Sequence, residues 1–137
     1  MRSVFIALCL LLVATAPSAA ETAWSDVAGA AGVFDGWAKS GGGLVPVETR
    51  LVTGPDGVIS GTYRFEQANQ IFHGTLSHGR ATGPADLTFI WHDDWGWGLL
   101  ILHFDARFRQ FTGAWGPLDD SAMFLPWVGM RVEPADQ

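Results

Sequence analysis

The sequence is poor in cysteine and in positive charge. Its 137 residues include one cysteine, Cys9, and one lysine, Lys39, and the formal net charge is −6. Cys9 lies in a segment that we expect to be removed, so the mature chain would have no disulfide, no thiolate metal site and no cysteine nucleophile. An acidic chain with a single lysine is also a poor binder of nucleic acid or anionic lipid. The two deficits therefore exclude nucleic-acid partners and disulfide scaffolds.

A long hydrophobic run is missing as well. The apolar stretch Val4–Ala14 follows a basic start and precedes small residues that end at Ala20. It is too short to span a bilayer, and Pro17 follows it closely. This pattern predicts a secretory signal peptide over residues 1–20. We therefore expect an extracytoplasmic protein, periplasmic or secreted, with no membrane span after cleavage.

Familiar catalytic patterns are absent. The chain contains no Ser-x-x-Lys, Gly-x-Ser-x-Gly or His-Glu-x-x-His sequence. Adjacent acids in strands or turns point apart, so the pairs at 93–94 and 119–120 do not predict a glycosidase. We expect no catalytic residue and no cofactor. A small-barrel isomerase or cyclase that uses His73, His103 and Asp105 is the remaining enzymatic alternative.

What is present is a β-strand pattern. Residues 21–32 are rich in small side chains and predict a flexible lead-in. From residue 33 onward, short apolar runs with period-two alternation are interrupted by Gly, Pro and Asp. The sequence has eight such runs and no helical periodicity between them. It therefore predicts one domain over residues 33–137 that is an all-β, eight-stranded antiparallel up-and-down barrel, with a β-sandwich as the alternative.

Details of the pattern predict turns and faces. Gly54–Gly57 reads Gly-Pro-Asp-Gly and predicts a turn. Val58–Glu66 alternates, with Tyr63 on the apolar face of a half-buried strand. Residues 79–85 predict a loop, and a strand is predicted over residues 108–115.

Aromatic residues at alternating positions predict an interior site. If the barrel closes, one set of side chains points inward and could bind an apolar or aromatic small ligand. The alternative is that these side chains only fill an eight-stranded barrel, which has little spare room. The predicted ligand-binding residues are Tyr63, Phe65, Phe89, Trp91 and Trp115.

Two strands, Gly98–Phe104 and Met123–Val132, are apolar on both faces, and a tryptophan-rich turn, Trp91–Gly98, precedes the first. Three adjacent side chains at 92–94 in this turn cannot converge on one ion, so we expect no metal site. Excess apolar surface is typical of a subunit interface or of a surface covered by another segment. We expect self-association or an extracytoplasmic protein partner. The predicted contact residues are Trp95, Trp97, Leu100, Leu102, Phe104, Phe124 and Val128.

With these residues in view, the chain resembles the avidin-like and lipocalin-like small ligand-binding barrels. The similarity lies in Gly36-Trp37, in the turn and strand at 56–63, and in shorter matches at 73–75, 87–91 and 111–115. The resemblance implies an aromatic-lined interior in which Tyr63, Trp91 and Trp115 face the ligand. The groups that hold biotin in that family are not matched, because Lys39 and Phe65 stand where the family has Asn and Ser.

Three functions follow from the sequence. The first is a secreted or periplasmic barrel that binds a small apolar or aromatic ligand inside. The second is a non-catalytic structural or regulatory protein that docks on an extracytoplasmic partner through an apolar sheet face. The third is the small-barrel isomerase or cyclase.

Overall fold

A computed structural model describes residues 27–132. The predicted signal peptide at 1–20 lies outside the described residues, as do residues 21–26 of the predicted lead-in. Within the described range, no helix is long and apolar enough to cross a membrane.

The described chain forms one closed antiparallel barrel of eight strands. Each strand pairs with the next along the chain, and β1 also pairs with β8, where Trp37 lies opposite Val128. The predicted eight-stranded up-and-down barrel is confirmed. The strands are β1 Gly32–Ser40, β2 Gly43–Thr53, β3 Ile59–Gln67, β4 Gln70–Gly83, β5 Asp86–Asp93, β6 Gly96–Phe104, β7 Gln110–Gly116 and β8 Leu125–Arg131. Two short 3-10 helices complete the fold, Ala28–Ala30 before β1 and Ser121–Met123 before β8.

The turn between β2 and β3 confirms its sequence signal. Gly57 has φ +81°, a left-handed conformation that glycine adopts without steric cost. The Asp56 carboxylate accepts a hydrogen bond from the Val58 amide at 3.1 Å, and the Gly54 amide donates to the Val58 carbonyl at 2.8 Å. The turn is therefore fixed by local chemistry that the Gly-Pro-Asp-Gly sequence encodes.

The predicted loop over residues 79–85 is wrong for residues 79–83, and only residues 84–85 form a turn. Strand β4 continues through this segment to Gly83, with a register shift against β5 between Ser77 and Arg80. His78 takes φ +53° at the shift, and Gly79 is buried beside it. The glycine-rich sequence therefore marks a β-bulge inside a strand rather than the end of a strand. Bulges bend a strand, which helps a sheet close into a barrel.

The start of β7 also differs from the prediction. The strand was predicted from Phe108, but it begins at Gln110. Phe108 has φ +53° and its amide donates to the Asp105 carbonyl at 3.1 Å. Phe108 therefore belongs to the β6–β7 turn, where the Asp105 carboxylate also accepts the Arg109 amide at 2.7 Å.

One half of the barrel is filled by aromatic packing, and we call it the closed half. Phe34, Phe104 and Phe111 meet edge to face with ring centroids 5.4–5.5 Å apart. Phe108 adds a fourth ring 5.3 Å from that of Phe104. Because aromatic rings prefer this offset geometry, the cluster packs densely and leaves this half solid.

The first 3-10 helix closes this end of the barrel. Val27 and Ala30 are fully buried, so the described part of the predicted lead-in packs on the core. Arg131 at the end of β8 holds the segment. Its guanidinium donates to the carbonyls of Gly29 at 2.7 Å, Ala31 at 2.9 Å and Phe108 at 2.8 Å.

The side chains of β6 that were predicted to contact a partner point into the barrel. Leu100 and Leu102 are fully buried inside the barrel and Phe104 is nearly so. The prediction that these three side chains contact a partner is therefore wrong. Leu99 and Ile101, which share the outer face, are half-buried. Because both faces of this strand are apolar, periodicity cannot identify the inner one; strand pairing decides it.

Candidate binding cavity

The other half of the barrel contains a cavity, and we call it the open half. The cavity has a volume of about 60 Å³. Six of its lining residues are aromatic and one, Asp93, is charged. Strands β1, β2, β3, β5, β7 and β8 and the β5–β6 turn supply the lining. The lining residues are Ala38, Ser40, Val45, Val47, Tyr63, Phe65, Trp91, Asp93, Trp95, Trp115 and Trp127.

The ring of Tyr63 lies in the wall of the cavity, in a space left by a glycine on the next strand. Gly74 of β4 lies directly opposite Tyr63 of β3. A Cβ at Gly74 would overlap the tyrosine ring and its hydroxyl oxygen. The absence of a side chain at Gly74 therefore makes the space in which the ring lies. The other side of the ring meets the Trp127 ring edge-on, with centroids 4.9 Å apart.

Asp93 is held at the end of β5 by two hydrogen bonds. The Tyr63 hydroxyl donates to Asp93 Oδ2 at 2.6 Å, and the Trp95 amide donates to Oδ1 at 2.8 Å. Burial is the main cause that raises the pKa of Tyr63 far above its usual value, and the hydrogen bond to Asp93 and its negative charge add to the effect. Tyr63 is therefore a fixed hydrogen-bond donor that keeps the carboxylate in one orientation.

The indole N–H groups of three wall tryptophans are used within the protein. Trp91 donates to the Gly116 carbonyl at 3.3 Å, Trp115 to the Lys39 carbonyl at 3.1 Å, and Trp127 to Thr49 Oγ1 at 3.0 Å. Their polar edges are thereby satisfied. An occupant of the cavity therefore meets apolar ring surfaces along these walls.

The structure brings most of the predicted ligand-binding residues together. Tyr63, Phe65, Trp91 and Trp115 all line the cavity. Phe89 does not line it, although it is buried and faces inward as predicted.

Sequence reasoning missed six residues of the cavity, and Trp127 and Asp93 are the two that matter most for its chemistry. Trp127 lies in a strand that is apolar on both faces, so alternation does not show which of its side chains point into the barrel. Asp93 follows Trp91 at a spacing of two, and that spacing was the available signal for its inward orientation.

The predicted contact residues separate into three groups. Trp95 is 70% exposed at the mouth of the cavity, where its ring packs against Phe72 at 5.7 Å. Trp97 is exposed on the outer surface, and Phe124 and Val128 are half-buried. The leucines and phenylalanine of β6 lie inside, as described above.

The residues of the enzymatic alternative do not form a cluster. His73 lies on the outer surface of β4 opposite Arg64. His103, on the outer face of β6, has Nδ1 2.8 Å from an Asp86 carboxylate oxygen. Asp105 caps the β6–β7 turn. Across residues 27–132, no three His, Cys, Asp or Glu side chains are grouped to hold a metal ion.

The ionisation of Tyr63 gives a first prediction. It is the single tyrosine of the chain, so tyrosinate absorbance reports on this side chain alone. Because its pKa is raised in the folded state, we expect no tyrosinate while the barrel remains folded. The folded protein then holds a proton that the unfolded chain loses near pH 10. The stabilisation is complete below pH 10 and falls by about 1.4 kcal/mol per pH unit above it.

A spectrophotometric titration with parallel circular dichroism measures this effect. The Tyr63→Phe variant is the control, because it should lack that part of the alkaline loss of stability. Tyrosinate absorbance that rises near pH 10 in a folded barrel would contradict the buried hydrogen bond to Asp93.

The geometry defines an eight-stranded antiparallel barrel with one solid half and one aromatic-lined cavity, an architecture compatible with lipocalin-like and avidin-like barrels. Comparison with protein-family models, with curated proteins and with solved structures gives no match.

Proposed function

We propose that this protein is an extracytoplasmic barrel that binds a small apolar or aromatic ligand in its open half. The observation that carries the proposal is the cavity lined by six aromatic side chains. A barrel of this size can fill its interior with side chains, as the closed half does with Phe34, Phe104 and Phe111. Space that remains next to rigid, hydrogen-bonded tryptophans is typical of a binding site.

The volume of the cavity limits the ligand. A bound water needs about 10–15 Å³ in this measure, so about 60 Å³ corresponds to about four to six water molecules. A small branched group or part of a ring can lie inside, with the rest of the ligand at the mouth. A long acyl chain could not lie wholly inside, because aromatic rings occupy the closed half, and most of it would extend through the mouth. The proposed ligand is therefore compact.

We include in the proposal that the chain is a distant lipocalin-like or avidin-like protein. Tyr63, Trp91 and Trp115, which the resemblance carries over, line the cavity. Phe65 lines it as well, where the family has a serine. Because the polar groups for biotin are not matched, the proposed ligand differs from biotin.

Filling the cavity tests the proposal. Ala38 of β1 faces the cavity, and Ala114 of β7 lies on the outer face of the barrel, so Ala38→Leu and Ala114→Leu make a matched pair. We expect compact aromatic and methylated compounds to change the tryptophan fluorescence of the wild type. Ala38→Leu should weaken this binding at least about tenfold, because the added carbons occupy the ligand's space. Ala114→Leu should leave it unchanged.

Thermal melts of both variants show whether each is folded before titration. Equal binding by folded Ala38→Leu and wild type would contradict an interior site. No fluorescence response to any compact compound would contradict the proposed function as a whole.

A second candidate function is self-association through the outer surface. Several outward side chains of β5 to β8 and β1 are apolar, whereas those of β2 and β3 form ion pairs between Glu48 and both Arg50 and Arg64. Asp35 and the Asp86–His103 pair lie on the same outer surface. An apolar patch can pair with the same patch on a second copy of the chain. Sedimentation velocity over a wide concentration range tests it, and a monomer throughout would contradict it. The apolar outward residues are Trp37, Ile90, Leu99, Ile101, Ala114, Pro126 and Val128, and Thr88 and Thr112 lie among them.

A further inference from the structure

Asp93 is the single charged residue that lines the cavity. Its carboxylate accepts one hydrogen bond at each oxygen, from Tyr63 and from Trp95. An ionised carboxylate has about four acceptor positions, so about two remain for an occupant of the cavity. The ion pairs of the described residues join Glu48 to two arginines and Asp86 to His103, and none of them includes Asp93. Its negative charge is therefore available at the mouth of the cavity.

The walls around this carboxylate favour positive charge. The face of an aromatic ring carries negative potential, and tryptophan attracts cations most strongly. The indole N–H groups of Trp91, Trp115 and Trp127 donate hydrogen bonds to other protein groups. These positively polarised N–H groups are therefore not available to repel a cation in the cavity. Trp95 and Tyr63 add two more rings near Asp93. The cavity therefore combines several aromatic rings with one anion.

We propose that the ligand of this cavity is a compact methylated ammonium ion, bound by cation–π contacts and by the Asp93 carboxylate. This inference rests on the proposed function, because it names the chemical class that the same cavity binds. A primary ammonium has three N–H donors to satisfy, and Asp93 and Ser40 are the main polar side chains besides Tyr63 on the walls. A quaternary ammonium has no N–H donor and presents methyl groups to the rings.

Size and charge agree with this class. A tetramethylammonium-like head group has five heavy atoms, similar to the four to six water molecules that the volume accommodates. The chain carries a net charge of −6, which favours the approach of a cation over that of an anion.

Choline and 3,3-dimethylbutan-1-ol test the inference, because they have nearly the same shape and differ in the central charge. We expect isothermal titration of the full-length mature protein to give choline at least about tenfold tighter binding than the neutral alcohol. Replacing Asp93 with Asn should lower choline affinity by about tenfold and leave alcohol affinity unchanged. The asparagine side chain can still accept from the Trp95 amide and contact the Tyr63 hydroxyl, so the turn is retained.

Asp94→Asn is the matched control, since Asp94 is the adjacent acid, is exposed and does not line the cavity. We expect it to bind choline like the wild type. Equal binding of choline and the alcohol would overturn the inference and leave the proposed function intact. Binding of neither compound would overturn the inference, and the fluorescence titration with compact aromatic compounds would then decide the proposed function separately. Equal losses in Asp93→Asn and Asp94→Asn would also overturn the inference, because the preference would then come from overall charge.

Discussion

Replacement of Gly79 with alanine is expected to lower the free energy of unfolding by about 3 kcal/mol, the upper part of the usual range for overpacking a core. A Cβ at this position would overlap the carbonyl oxygen of Ile59 and lie 2.9 Å from a ring carbon of Phe89. The first group is backbone of the neighbouring strand and cannot rotate away. Relief would require β3 and β4 to separate at the bulge, where His78 already takes a left-handed conformation.

Gly43→Ala is the matched control for this prediction. A Cβ at Gly43 meets nothing within 4 Å, so the same substitution should change stability by no more than about 0.5 kcal/mol. Denaturant melts of the two variants and the wild type give the difference. If Gly79→Ala were as stable as Gly43→Ala, the close approach of β3 to the bulge in β4 would be contradicted.

The second large effect is expected at Arg131. Truncation to alanine removes three charge-assisted hydrogen bonds to backbone carbonyls and a guanidinium that lies 4.7 Å from the centroid of the Phe34 ring. Each bond to a charged group contributes about 1.5–3 kcal/mol when fully buried. Because Arg131 is half-buried and water can replace part of the interaction, we expect a total loss of about 3 kcal/mol.

Two measurements separate a local from a general effect of Arg131→Ala. Thermal unfolding gives the overall loss, and hydrogen exchange shows whether the amides of the first 3-10 helix, Ala28–Ala30, lose protection first. Arg131→Lys keeps the positive charge but has one compact donor group, so we expect an intermediate loss. Unchanged stability of Arg131→Ala would contradict the role of this side chain in closing the barrel.

The Gly79 prediction concerns the bulge in β4, and the Arg131 prediction concerns the closed half. The second also bears on the cavity, because β8 contributes to both halves of the barrel. Strand β8 carries Arg131 at its end and Trp127 four residues earlier, where the indole is hydrogen-bonded to Thr49. A β8 that is well anchored keeps Trp127 in the cavity wall. The packed half thereby supports the rigid aromatic surface of the open half.

Where one strand face is polar, the sequence predicted the orientation correctly. In β3, Tyr63 and Phe65 alternate with Arg64 and Glu66, and the former pair is buried. Most of the proposed cavity lining on β3 and β5 followed from this rule. Where both faces of a strand are apolar, as in β6, alternation cannot tell which face points inward. The sequence therefore placed Leu100 on the outer surface, although it is fully buried.

The acidic charge, the eight short strands, the Gly-Pro-Asp-Gly turn and the inward direction of Tyr63 and Trp91 were determined by the sequence alone. These properties depend on composition and on neighbours within a few residues. The tertiary structure alone decided which half is solid, that Gly74 makes room for Tyr63, and that Asp93 joins Trp127 in one cavity. Those relations depend on strand register and barrel closure, which bring together residues far apart in the chain.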